Sequence, residues 1–110
     1  MRRSRVPEIR PSELSPTAVL LDVREDDEWQ AGHAPEAVHV PMSGLPARLP
    51  EVPTGQALAV VCRSGGRSAQ VAGWLLAQGY DAVNVAGGMQ SWVAAGRPMV
   101  SETGQPPVVL

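Results

Sequence analysis

Two short stretches, AVLLDV at residues 18–23 and ALAVVC at 57–62, are apolar at successive positions instead of alternate ones. A strand with one face in water alternates, so unbroken apolar runs too short for a buried helix read as strands covered on both faces. Strands of that kind belong to a parallel sheet whose crossovers supply the covering layers. This confines the chain to the α/β class. After the second run, SAQVAGWLLAQ at 68–78 carries Val71, Ala72, Leu75 and Leu76 at the spacing of one helical face. Ser68 is placed as its N-cap and Gly79 as its left-handed stop. DAVNV at 81–85 follows as a third strand, which completes a strand–loop–helix–turn–strand crossover unit.

Elsewhere the signals are briefer. REDDEWQ at 24–30 predicts a short acidic helix ended by Gly32, because carboxylates favour a first turn. His39, between Val38 and Val40, reads as a strand residue. The stretch 41–56 holds four prolines and two glycines and reads as a connector with a turn or two of helix at most. GGMQSWVAAGRP at 87–98 predicts a second glycine-led helix, stopped by Gly96 and Pro98. Residues 100–110 have no periodicity and read as a loose or surface-docked tail.

With 110 residues, of which 44% are hydrophobic, the chain matches one core, and a single domain over 1–110 is expected, its core about 6–99. A net charge of −2 argues against a polyanion binder, so no nucleic-acid partner is expected. All nine basic residues are arginine. Those at the start, in MRRSR, read as surface charge, since no apolar stretch of signal-peptide length follows. No run approaches the ~18 apolar residues of a membrane span, so no membrane partner is expected. Cys62 is the only cysteine and has no intrachain partner for a disulfide, which points to a reducing, cytoplasmic setting.

The placement of that cysteine is the most informative local feature. In VVCRSGGRS, Cys62 ends a buried strand and a loop of arginines and glycines leads into a helix. Ligands of open α/β sheets bind at the carboxyl ends of strands, and the unpaired N–H groups of a first helical turn form an anion cradle. Gly65 and Gly66 are expected to supply backbone freedom, and Arg63 and Arg67 fixed positive charge with planar donors. Thiols in such surroundings fall from about 8.5 to roughly 3.5–7.5. A nucleophilic thiolate beside an anion pocket leaves sulfur and phosphorus as the atoms to be attacked. A nucleotide P-loop is disfavoured because its lysine is absent. A metal site is disfavoured because His33, His39 and Cys62 lie far apart without paired spacing.

Taken together, LLDVREDDEWQAGHAPEAVHVP, CRSGGRS and GYDAVNVAGGMQSWVAAGRP resemble a single-domain rhodanese, in order and spacing, over residues 6–99. The resemblance implies a three-layer α/β sandwich with a central, mainly parallel sheet flanked by helices. It implies that Cys62 is the catalytic cysteine, carrying sulfur as a persulfide. The backbone of Arg63, Ser64, Gly65, Gly66, Arg67 and Ser68 would then form the substrate-binding loop. The six residues from Cys62 to Arg67 match sulfur-transferring members, whereas related phosphatases have a cradle one residue longer. One departure is GHAPEA where the family commonly has GHIPGA, so Glu36 stands in place of a glycine in a turn.

The implied activity is thiosulfate sulfurtransferase chemistry: sulfane sulfur from a small anionic donor passes through Cys62 to cyanide or to a thiol, small or on a thioredoxin-like or sulfur-relay protein. No cofactor is implied. The alternatives are a persulfide carrier or interaction module loaded by a partner protein and, further off, a phosphatase or arsenate reductase. Asp22 and Arg24 are expected to organise the sheet edge through hydrogen bonds, His33 to be structural, and Trp29, Trp74 and Trp92 to pack.

Overall fold

The computed structural model describes residues 6–110, so the three arginines of the first five residues lie outside the described part. Five parallel strands form the central sheet: β1 (Glu8–Ile9), β2 (Val19–Asp22), β3 (Val38–His39), β4 (Leu58–Val61) and β5 (Ala82–Val85). Their order across the sheet is β1-β5-β4-β2-β3. Three helices accompany them: α1 (Asp26–Ala31), α2 (Gly66–Ala77) and α3 (Gly88–Ala94). The two unalternated runs are β2 and β4, paired in register from Val19 with Leu58 to Asp22 with Val61. They lie next to each other inside the sheet, as their lack of alternation requires.

Successive residues of β4 serve opposite cores. Leu58, Val60 and Cys62 join Val71, Ala72 and Leu75 of α2, together with Leu21, Val23 and Ala82. Ala59 and Val61 join Leu20, Val85, Met89 and Trp92 on the other face. A three-layer sandwich follows directly from this period of two. The connector 41–56 contains two 3-10 segments, Met42–Gly44 and Pro46–Glu51, which bring Leu45 and Leu49 to the α2 side.

Some expectations shift in detail. Ser68 is not the N-cap of α2: the helix begins two residues earlier, with Gly65 as its cap in the left-handed region. The Ser68 side chain turns inward instead. β1, two residues long, is the edge strand that no periodicity in the sequence announced. The tail is docked, since His33 and Val100 exchange two backbone hydrogen bonds of 2.8 Å and the Val108 N–H donates to the Ala31 carbonyl at 3.0 Å. The turn at Glu36 closes normally, with the Ala37 N–H donating to the Ala34 carbonyl at 3.2 Å. Among the described residues no non-glycine residue takes a positive φ, so the turn accepts Glu36 without strain.

Candidate active site

From β2 the chain moves to β3 on one side, and from β4 it moves through α2 to β5 on the other. The carboxyl ends of β2 and β4 therefore flank the point where the direction of winding reverses, the place where open α/β sheets bind ligands. Cys62 follows the last residue of β4, and Asp22 ends β2 beside it.

Cys62 is 1% exposed. Its Sγ accepts a hydrogen bond from the Gly65 N–H at 3.1 Å and lies within hydrogen-bond reach of the Ser68 hydroxyl, 3.3 Å away. Burial pushes the thiol up. The Ser68 hydroxyl and the backbone N–H groups of Ser68, Gly65 and Ser64 outweigh it, so the thiol ionises below its ordinary value. Donors of the loop thus surround the sulfur. The first-turn N–H groups of Gly66 and Arg67 meet no backbone carbonyl among the described residues, leaving donors for an anion or an outer sulfur atom.

The two glycines of the loop differ. Gly65 has φ +110°, a conformation that a side chain resists. Gly66 is an ordinary first residue of α2, with open space where a Cβ would stand, so the expected need for its backbone freedom is not met there. A stronger requirement sits in the segment 87–98. A Cβ on Gly88, at φ +59°, would lie 2.4 Å from the Cys62 carbonyl oxygen and 2.6 Å from that of Arg63. That close approach lets the N–H groups of Met89 and Gln90, at the start of α3, donate to these same carbonyls at 2.8 and 3.0 Å. The cysteine loop is held from behind by a second helix.

Charge is arranged unevenly. The Arg63 side chain is exposed and makes no salt bridge among the described residues. Both terminal nitrogens of Arg67 donate to Glu28 of α1, Nη1 to Oε1 at 2.7 Å and Nη2 to Oε2 at 2.8 Å. Hydrogen bonding to Arg67 holds the Glu28 carboxyl below its usual range, and Glu28 in turn raises Arg67 further above neutrality. Beneath them Arg24, fully buried, grips Asp22 with Nε at 3.0 Å and Nη2 at 2.7 Å, and donates to the Gly32 carbonyl at 2.7 Å. This is the organising role expected of the pair, and it ties the end of β2 to the end of α1.

His33 is engaged away from the cysteine, with Nε2 2.7 Å from Glu102 and Nδ1 2.9 Å from the Ala34 carbonyl. Trp29 is stacked between His33 and His39, at ring-centroid distances of 3.6 and 4.6 Å. Trp92 donates from its indole N–H to the Pro98 carbonyl at 2.9 Å, and Trp74 packs against the α2 core. All three tryptophans pack, as expected.

A family model for the rhodanese-like domain matches residues 11–95. The chain belongs to the rhodanese-like family. This rhodanese-like domain is 38% identical over 87 residues to a sulfurtransferase of Allochromatium vinosum, covering 78% of the chain and 81% of that protein. Its fold superposes on the crystal structure of a rhodanese-related protein from Thermoplasma volcanium with a TM-score of 0.81 and 32% identity, over 86% of the chain and 97% of the other. It also matches part of a thiosulfate sulfurtransferase from Pseudomonas aeruginosa, at a TM-score of 0.71 and 26% identity, over 93% of the chain and 21% of that larger protein.

Three contributors to the rhodanese-like site escaped the sequence reading. Glu28 lay in a run of four carboxylates, from Glu25 to Glu28, with nothing to single it out. Gly88 read as a helix start. Asn84 was the detectable one, since a single amide in an apolar strand must be hydrogen-bonded if buried.

Proposed function

We propose that this protein is a sulfurtransferase that works by double displacement through a Cys62 persulfide. The observation that carries the reading is the set of groups around Cys62 Sγ: a buried sulfur at the start of a helix, with the Gly65 N–H at 3.1 Å and the Ser68 hydroxyl at 3.3 Å. The thiolate attacks the outer sulfur of thiosulfate. The Sγ–S bond forms as the S–S bond of the donor breaks, and the electron pair leaves with sulfite. A nucleophilic acceptor, cyanide or a thiolate, then takes the outer sulfur and returns the electron pair to Cys62. The loop amides of residues 63–68 stabilise charge on the donor and on the outer sulfur, with Arg63 and Arg67 adding positive potential. The similarity to a thiosulfate sulfurtransferase supports this donor.

Intact-protein mass spectrometry tests it. Thiosulfate should add one sulfur to wild type and none to Cys62→Ser, and cyanide should remove the addition. Retention of full sulfur transfer by Cys62→Ser would sink the mechanism.

One observation favours a second reading, a carrier loaded by a partner protein. Glu28 takes the end-on fork of Arg67, Nη1 and Nη2, and offsets its charge, which weakens the hold of that guanidinium on a dianion. Persulfide formation from a protein donor, with negligible turnover of thiosulfate, would select that reading.

A further inference from the structure

Asn84 stands in β5 between Val83 and Val85, 1% exposed. Its Nδ2 donates to Glu8 Oε2 at 2.8 Å and to the Gly65 carbonyl at 3.2 Å. Both partners accept only, so the amide orientation is determined and Oδ1 is the atom that faces Ser68 Oγ, 2.5 Å away. Ser68 Oγ also lies 3.3 Å from Cys62 Sγ. A hydroxyl has one proton to give. Oδ1 has none, so an oxygen–oxygen approach this short is attractive only when the Ser68 proton lies between the two. In that state Ser68 turns a lone pair toward the sulfur. The arrangement suits a neutral thiol, which donates to Oγ, and does not suit a thiolate, which needs the proton itself.

We infer that the Ser68 hydroxyl is a rotor with two seats, Asn84 Oδ1 and Cys62 Sγ, and that Asn84 is a positioning residue governing how readily Cys62 ionises. Loss of the thiol proton turns the hydroxyl from Asn84 to the sulfur. When Sγ bonds to an outer sulfur and its charge moves outward, the hydroxyl returns to Asn84. No covalent bond changes in either move. Asn84 therefore opposes ionisation of the resting thiol, and Ser68 promotes it.

The charged groups around the sulfur come from four elements. Arg67 on α2 favours the thiolate but shares its charge with Glu28 on α1. Glu8 on β1 stands behind Asn84, and the Asp22–Arg24 pair at the end of β2 neutralises itself. Arg63 follows Cys62 directly and is exposed. None of these groups touches the Ser68 hydroxyl, so the rotor is separable from them by substitution.

The rotor is proposed on the persulfide reading, but its test needs no sulfur donor. The ultraviolet absorbance of the thiolate is titrated in wild type, Asn84→Ala, Ser68→Ala and the double variant. Asn84→Ala should lower the midpoint by roughly half to one pH unit and Ser68→Ala should raise it by about one, as expected for a hydrogen bond to a charged sulfur. The double variant should titrate like Ser68→Ala, because the Ser68 hydroxyl carries the effect of Asn84 Oδ1 on the sulfur. A midpoint in Asn84→Ala that is unchanged or raised, or an equal Asn84 effect in both backgrounds, would overturn the rotor.

Should Asn84→Ala not fold, the side-chain amide resonance of Asn84 is followed by NMR across the same titration. It should move with Cys62 in wild type and stay still in Ser68→Ala; no movement in wild type overturns the inference. A rotor confirmed in a protein that takes no sulfur would leave this inference standing and remove sulfur transfer alone.

Discussion

Glu28 of α1 and Arg67 of α2 are locked side by side, oxygen to nitrogen at 2.7 and 2.8 Å. The pair is only partly buried, with side chains 15% and 35% exposed, so its contribution to folding is modest. Its effect on substrate charge is larger. Removing one charge near the sulfur in partly screened surroundings is worth about 1 kcal/mol, or roughly five-fold in affinity. Glu28→Gln should therefore lower the KM for thiosulfate about five-fold by freeing Arg67, and Arg67→Ala should raise it by a similar factor, with little change in melting temperature. Steady-state kinetics of the two variants decide this; unchanged donor kinetics in Arg67→Ala would take that residue out of the site.

The pH dependence of persulfide loading follows from the direction of the Cys62 shift. Burial opposes the thiolate, and donors from Ser68, Gly65 and Ser64 overcome that opposition. The reactive form is therefore more populated at a given pH than that of an ordinary thiol. The loading rate should rise with pH and level off at a lower pH than the reaction of an ordinary thiol does. In Ser68→Ala the plateau should move upward by about one unit. Stopped-flow loading rates across pH would show either result.

Gly88 predicts a failure of a different kind. A methyl group there meets the carbonyl oxygens of Cys62 and Arg63 and must also adopt φ +59°. Backbone strain of this sort costs about 1–3 kcal/mol, and relief requires the cysteine loop to move. Gly88→Ala should lose stability in that range by urea denaturation, together with most sulfur loading. Gly66→Ala, with open space at its Cβ, should cost far less stability.

The buried Asp22–Arg24 pair is a test of the frame beneath the site. Both side chains are fully buried, so Asp22→Ala leaves an uncompensated guanidinium inside the protein. Breaking such a pair from one side costs about 3–5 kcal/mol. Denaturant unfolding of Asp22→Ala should show a loss of that size, and a loss under about 1 kcal/mol would mean that water reaches Arg24.

The family and the layer order were legible because they depend on local pattern. Unalternated runs become β2 and β4, the 3.6-residue period becomes α2, and a cysteine between an apolar strand and a glycine loop becomes the occupant of the strand's carboxyl end. These follow from what each segment must bury or expose, whatever lies beside it. The finer machinery is made of partnerships across long sequence distances. Glu28 reaches Arg67 across 39 residues and Asn84 reaches Ser68 across 16. No local rule tells one carboxylate of a run of four from its neighbours, or says that Ser68 turns inward instead of capping its helix. Those choices were made by tertiary packing, because a buried polar atom takes whichever partner the fold brings within hydrogen-bond reach. Local pattern alone set a cysteine at the end of a parallel strand; the fold decided which side chains surround it.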